Sequence, residues 1–599
     1  MGLSATLSLA ANGLKVSQEA TQLVGANIAS ATSDGYTKKN LSVMDLQSGF
    51  GVVGFQTVVT RAFDQQLYDQ LVGSTASTAY LDTKNTYAAQ IDTLMGTTAN
   101  GATLSTALSN FSSDMQSLAS QPSDTAAQTQ AINSATALVK SLNSMATQTK
   151  AMQTAVEGDI DEAVTSINDL TTQIAKLNTQ IVSYKTQGLD ATNLEDSRDS
   201  AILKLSSYMD IQVKGSDDGS VRIMTNEALT LVDNARPTLL KRDLSGTLVV
   251  ANDGIGKVDV LGLGLVTTGS LAALYELRDT TLPQLQNQLD QVAETLARAM
   301  SDVTTTGTAA TSGAQQGYSV DVAALQSGDN VTLSYTDTAT GAAKTVTFVK
   351  VTDASVLPLS DTATADPNDT VYGIDFSGGM ASVASQIQTA LGSSFSVSNP
   401  SGTTLQVLDD GATGAIDISG LTATATATAT QGGTAALPLF TDGVNTYTGS
   451  FDGGASELDG FASRITVNAA VAAKPSLLVD YTTSTAASDS TRPAAIVDQL
   501  QKAKSWFTLE GTGTPVQKTL SGFTDAMVSY WGTAATNAST DLANQTVVQN
   551  NLKTSMSSVS SVSTDTELAK LIQLQATYAA NAHVMATVKE MLTQLMNNL

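Results

Sequence analysis

Apolar positions recur at helical spacing at both ends of the chain and alternate through its middle. At the start, Leu3, Leu7, Ala10, Leu14, Ser17, Thr21, Val24 and Ile28 follow alternating steps of four and three, the heptad seam of a coiled coil. The last segment repeats the pattern with Leu571, Leu574, Tyr578, Asn581, Met585, Val588, Leu592, Leu595 and Leu599. Asn581 alone interrupts that face, and a buried Asn at such a position fixes register. A helix of about 30 residues spans roughly 45 Å, and the two seams predict that the chain's ends pack together. One buried stripe offsets poorly the entropy of fixing two long helices, so the pair is expected to be loose in a single chain and to order fully against neighbouring copies. An ordinary helix pair capping a bundle is the other reading of this periodicity.

Further helical stripes lie inward. Ile160, Val164, Ile167, Leu170, Ile174, Leu177, Ile181 and Tyr184 form one, and residues 194–209 form another. Leu282, Leu285, Leu289, Val292, Leu296, Met300 and Val303 form a third, with Pro283 in the first turn, where proline is tolerated. Residues 75–150 read as mostly helical with a break at 121–124, and 520–555 as a helix leading into the last one. Alternation replaces this period at 211–264 and 312–490. There, 331–335 and 345–351 form a hairpin around Gly341, and 395–397 with 403–408, split by Asn399, Pro400, Ser401 and Gly402, continue it. The run 421–430, alternating Thr and Ala, is either a strand or a loose linker. The sequence therefore predicts an α+β multidomain chain with paired terminal helices, an elongated antiparallel bundle and inserted outer β-domains. Its expected parts are a terminal coiled-coil domain (1–40 with 556–599), a helical bundle (41–205 with 268–311 and 494–555), a small β region (206–267) and an outer β-rich insertion (312–493).

At 599 residues with 42% hydrophobic side chains, the chain has ample core for several domains. Its net charge of −25 argues against nucleic acid and against anionic membrane surfaces as partners. The absence of cysteine and the presence of one histidine, His583, exclude disulfides, thiolate sites and multi-histidine zinc sites. No apolar run reaches the length of a membrane span. The first Lys or Arg is Lys15, so the N-terminus lacks the basic start of a cleaved signal peptide.

Candidate chemistry is sparse. Gly49, Gly51 and Gly54 have the spacing of a dinucleotide-binding turn, but β-like sequence follows at 55–60 where that site needs a helix; a glycine-rich hairpin fits better. The paired acids at Asp217–Asp218 and Asp409–Asp410 precede glycine, lack calcium-loop spacing and read as turns. His583 lies off the C-terminal seam, and Trp506 and Trp531 read as packing anchors. No catalytic, cofactor or metal set emerges, so the chain reads as non-enzymatic. One element has clearer meaning: the N-terminal helix runs through Asn27 and Ile28 into Ser33, Asp34 and Gly35, which break it, and Tyr36 begins an extended segment. A long helix is thus joined to the next domain by a defined elbow.

That elbow, Asn27-Ile28-Ala29-Ser30-Ala31 followed by Gly35-Tyr36, resembles the signature of flagellar rod, hook and hook-associated proteins, with Ser30 for a second Asn and Ser33-Asp34 in place of Thr-Pro. Residues 567–575, Tyr578, Met585 and Leu592 resemble that family's C-terminus. Leu194 to Asp199, Gly269 to Arg278 and Gly460 to Asn468 are similar to elements of its hook-associated protein 1 (FlgK) branch, which separates the chain from hook and rod subunits. The resemblance implies a structural subunit joining hook to filament, exported through the flagellar type III apparatus and assembled helically outside the cell. It implies as partners further copies of the chain, hook protein, the next hook-associated protein on the filament side and a flagellar export chaperone. The expected assembly interface is Leu3, Leu7, Leu14, Val24, Asn27, Ile28, Gly35, Tyr36, Leu571, Leu574, Tyr578, Met585, Val588, Leu592 and Leu595. The alternatives are another axial component such as the hook subunit, or a surface adhesin or enzyme carried on the β-insertion.

Overall fold

The computed structural model describes residues 3–48, 51–96, 103–251, 258–510 and 513–597, with the side chains of 3–5, 45–48, 51–54, 412 and 452 left out. Leu599 and Gly49 lie outside the described residues. The helices in chain order are α1 (Leu3–Ala29), α2 (Gln65–Met95), α3 (Leu104–Ser120), α4 (Thr125–Thr186), α5 (Thr192–Tyr208), α6 (Ser270–Glu276), α7 (Leu282–Ser301), α8 (Gly379–Leu391), α9 (Phe461–Arg464), α10 (Ala469–Ala473), α11 (Thr491–Lys502), α12 (Leu520–Ser560) and α13 (Thr564–Asn597). The chain forms two compact units, one of 1–87, 156–276 and 537–599, the other of 88–155 and 277–536. The architecture is helix-rich with sheet-containing insertions, an α+β fold.

In the first unit, strands β1 (Lys39–Ser48) and β2 (Gly51–Arg61) pair antiparallel, with Lys39 opposite Arg61 and Ser48 opposite Gly51. Gly51 and Gly54 of the glycine spacing therefore lie on a strand of a hairpin. The stripe read from 160 onward is the buried face of α4, with Ile160, Ile167, Ile174 and Ile181 fully covered, while Tyr184 is exposed. A small antiparallel sheet (Gln212–Gly215, Val221–Met224, Thr230–Asp233 and Arg236–Pro237) lies beside it. Two asparagines of α4 hold this β region by two-way backbone bonds. Asn178 donates to the Val221 carbonyl (2.8 Å) and accepts from its N–H (3.1 Å); Asn168 does the same at Leu240, both at 2.8 Å. The turn predicted at Asp217–Gly219 joins the first two strands, with Gly219 at φ 89°.

In the second unit, α3, α7 and α11 pack together around Leu108, Phe111, Leu289, Leu296, Ile496 and Leu500. Trp531 is buried, its indole N–H donating to Gln288 (2.8 Å). Trp506 is only half-buried, and the neighbouring Phe507 fills the interior instead, stacked on Phe523 at 4.1 Å. The stripe read through Val303 stops earlier: α7 ends at Ser301, and Val303 lies in the strand Asp302–Thr306. That strand edges a five-stranded sheet in the order Asp369–Asp375, Ala342–Val351, Asn330–Asp337, Ile416–Thr426, Asp302–Thr306. The expected hairpins pair as read, 330–337 with 342–351 and 396–398 with 404–408. The Thr/Ala run is strand as far as Thr426. Helix α8 was not expected within the alternating region; it buries Val383, Ala384 and Ile387 against the sheet.

Candidate assembly interface and its elbow

The first and last helices pack against one another along their length. On α1 the face toward α13 buries Ala10, Ser17, Ala20, Val24 and Asn27, with Leu7, Leu14 and Ile28 half-buried. On α13, Val588 is buried and Leu571, Leu574, Met585 and Leu592 are half-buried, whereas Tyr578 and Leu595 are 40% and 54% exposed. Leu3 lies in α1, but its side chain is among those left out. Asn581 meets Gly13: a β-carbon at position 13 would stand 3.0 Å from the Asn581 amide nitrogen. A small residue thus receives the one polar side chain of the C-terminal seam. The outside of α13 carries apolar side chains uncovered by this chain, with Ile572 68% and Met596 76% exposed and Leu568 and Met591 nearly half so. His583 is exposed on this helix.

At its C-terminal end α1 turns. Ser33 and Tyr36 N–H groups reach back to the carbonyls of Ser30 and Ser33, and Gly35 takes φ 75°, a left-handed geometry that favours glycine. Asn27 is fully buried beneath this turn. Its amide oxygen accepts from the Tyr36 hydroxyl (2.9 Å) and the Lys39 N–H (3.0 Å). Its amide nitrogen donates to the Lys39 carbonyl (2.9 Å) and to Glu567 at the start of α13 (3.1 Å). Glu567, also fully buried, pairs with the Lys38 ammonium at 3.2 Å. One side chain therefore ties the end of α1, the start of β1 and the first turn of α13.

A second charged layer lies under the first. The Lys39 ammonium, 2% exposed, pairs with Asp196 of α5, and Asp196 also accepts from the Thr37 hydroxyl (2.7 Å). Arg61, at the end of β2, reaches Glu195 (3.0 Å), Asp196 (3.0 Å) and Asp199 (2.8 Å). Burial depresses the Lys39 amine, with Asp196 opposing it. Burial also works against the Arg61 cation, but Asp199, Asp196 and Glu195 outweigh it and hold its pKa above the usual arginine range. Burial, reinforced by the negative charge of Asp196, Asp190 and Glu567, pushes the Tyr36 phenol up to about 12, so it stays a donor to Asn27. Buried ions of this kind hold only when matched and hydrogen-bonded.

Of the residues expected at an assembly interface, the structure brings Leu7, Leu14, Val24, Ile28, Leu571, Leu574, Met585, Val588 and Leu592 together inside one chain, leaves Tyr578 and Leu595 partly outside, and places Asn27, Gly35 and Tyr36 in the elbow. Sequence reasoning missed Lys39, Arg61, Asp196, Asp199 and Glu567 as a group. The available signal was charge density: in a chain with 14% charged residues, 194–199 carries four charged side chains in six positions. An open cleft of about 940 Å³ runs beside the elbow, lined by Leu23, Tyr36, Lys39, Val59, Phe63 and Asp190 among others. Among the described residues no group of three or more His, Cys, Asp or Glu side chains is placed to hold a metal ion, and no helix is long and apolar enough to cross a membrane.

Residues 88–319 match the model for the helical domain of the flagellar hook-associated protein FlgK, and residues 553–599 match the model for the C-terminal region of the flagellar basal body rod FlgEFG proteins. Among solved structures, the chain is similar to the flagellar hook junction protein FlgK from Burkholderia pseudomallei, at 17% identity and a TM-score of 0.45, over 83% of this chain and 100% of that one. No curated protein sequence matches it.

Proposed function

We propose that this chain, which belongs to the FlgK family of flagellar hook-associated proteins, is the junction subunit that joins hook to filament and is built into the flagellum through its paired terminal helices. A structural role in the flagellum, in motility and in flagellum assembly follows from the family. The carrying observation is the terminal pair. Each helix gives one face to the other, and α13 leaves apolar side chains uncovered around and along its length at Leu568, Ile572, Met591 and Met596. Neighbouring copies packed around this helix would cover these side chains. Copies related by a screw axis make head-to-tail contacts, and these side chains supply one side of such a contact. The interface comprises Leu3, Leu7, Leu14, Val24, Ile28, Leu571, Leu574, Tyr578, Met585, Val588, Leu592 and Leu595, with Asn27, Gly35 and Tyr36 setting the elbow's angle. In this reading the pair is a coiled coil that orders fully only in the assembly. The inner helical domain, the bundle, the small β region and the outer β-insertion divide the chain as read from its sequence. Hook protein, the filament-side hook-associated protein and an export chaperone are its partners.

The test is a chain lacking 565–599, expressed in a strain deleted for the full-length gene and examined by electron microscopy. Hooks without filaments are the expected outcome, and Leu592→Glu should give the same result while the monomer keeps its fold. Normal filaments on the truncated chain would sink the proposal.

A further inference from the structure

The stretch 302–426 of the second unit has a core of its own. The cluster built on Val320, Leu333, Phe348, Ile387, Leu405 and Leu421 draws every buried member from 320–423. The chain enters at Asp302 and leaves at Thr426, which are register partners on neighbouring strands, and the Ala427 N–H donates to the Ser301 carbonyl at 2.8 Å. Only two adjacent crossings therefore join this body to the rest of its unit. Asp329, fully buried, closes the base from inside by accepting from the Thr426 N–H (2.9 Å) and hydroxyl (2.6 Å).

The body meets the rest of the unit at its base, where Ala354–Val356 lies against Asp452–Gly454 and one side chain spans the junction. Arg298, in the last turn of α7, bonds Asp302 at the entrance (Nε to Oδ2, 3.1 Å) and the Thr448 carbonyl in the facing loop (3.1 Å). Glu457 fixes that loop by accepting from the Thr448 and Ser450 N–H groups at 3.1 and 3.0 Å. Glu294, Asp302, Asp329 and Tyr447 all lie within the field of the Arg298 guanidinium. Burial pushes the Glu294, Asp302 and Asp329 carboxyls up, and Arg298 draws each down. The Lys350 ammonium, also within reach of Asp329, donates to the Leu325 carbonyl at 2.6 Å. Backbone meets backbone beside this cluster: Gly328, at φ 92°, packs so closely that a β-carbon there would stand 2.5 Å from the Thr448 oxygen and the Gly449 carbonyl carbon.

We propose that Arg298 is a latch: closed, it fixes the inserted body 302–426 at one attitude on the framework of its unit; open, it leaves a separately folded body on a two-strand tether. The latch does not depend on the flagellar role. Two variants of the full-length chain open the latch by different means. Arg298→Gln removes the charge that spans α7, Asp302 and the 448 loop. Gly328→Ala keeps every charge and drives a wedge between the two backbones. Limited digestion with a broad-specificity protease reads the result. Both variants should be cut at the two crossings, within 301–303 or 425–428, about ten-fold faster than the parent or more, and a fragment holding the body should survive; Arg298→Lys should recover part of the protection. The proposal is overturned if Arg298→Gln, or Gly328→Ala, is cut at the parental rate. It is equally overturned if the body is digested along with its tether.

Discussion

Replacing Asn27 with alanine tests whether the elbow is held from within a single chain. The amide makes four hydrogen bonds in a fully buried site. Truncation leaves the N–H and C=O of Lys39 and one Glu567 oxygen without that partner, in a space closed to bulk water. Each buried polar group left unmatched costs about 1–3 kcal/mol, so three groups give roughly 3–9 kcal/mol, cut to about 3–6 kcal/mol because Lys38 still faces Glu567. The loss is local, because the second unit does not use Asn27. Amide hydrogen exchange is therefore the right assay. Protection at 36–41 and 565–570 should fall by about two to four orders of magnitude, since each 1.4 kcal/mol is a factor of ten. Exchange in the second unit should not change. Thr32→Ala, on the exposed outer side of the same turn, serves as the control and should leave protection intact. If Asn27→Ala exchanges within three-fold of the parent at 36–41, the elbow is not held by this amide, and the reasoning from buried hydrogen bonds fails there.

Two further perturbations test the second unit. Arg492, fully buried, donates to six carbonyls, those of Thr430, Thr434, Ala435, Ala436, Leu477 and Asp480, and burial lowers its guanidinium to about 10. Arg492→Lys keeps a charge but has three donors in place of five, and should destabilise that unit by about 2–4 kcal/mol in chemical denaturation; an unchanged midpoint would show the cage to be dispensable. Asp290 caps α9 by accepting from the Gly460 and Ala462 N–H groups at 2.9 and 2.8 Å, yet burial raises its carboxyl to about 6. A raised acid stabilises the fold below its unfolded pKa of 3.8 and loses that contribution as pH rises through 6. The unit should therefore lose about 3 kcal/mol between pH 4 and 7 from this group. Asp290→Asn should flatten that part of the pH dependence, which thermal melts across the range would detect.

What could be read from the sequence divides along one physical line. Periodicity reports which face of an element is covered, and it served wherever the covering was regular: the seams of α1 and α13, the isoleucine stripe of α4, the break at 121–124 and the paired strands of the inserted body. It failed where tertiary contact decides. Helix α8 does carry a stripe, Met380, Val383, Ile387 and Leu391, but over its 13 residues it stands alone between strands, and the alternation on both sides hid it. The α7 stripe runs on through Val303, but the helix stops where Asp302 meets Arg298. The Thr/Ala run stays a strand to Thr426, where a carboxylate from nearly a hundred residues away captures it. The elbow is the sharpest case. Its turn was legible, but the partners of Asn27 lie 9, 12 and 540 positions along the chain, and spacing carries no information over such separations. In a chain this poor in charge, the buried charges mark those meetings. Lys39, Asp196 and Glu567 sit where α1, β1, α5 and α13 converge; Arg298 sits at the base of the inserted body; and Arg492 sits where the chain leaving it is fastened down. Desolvating an ion is unfavourable unless remote segments supply its partners, so each buried charge records a long-range contact that hydrophobic patterning cannot express.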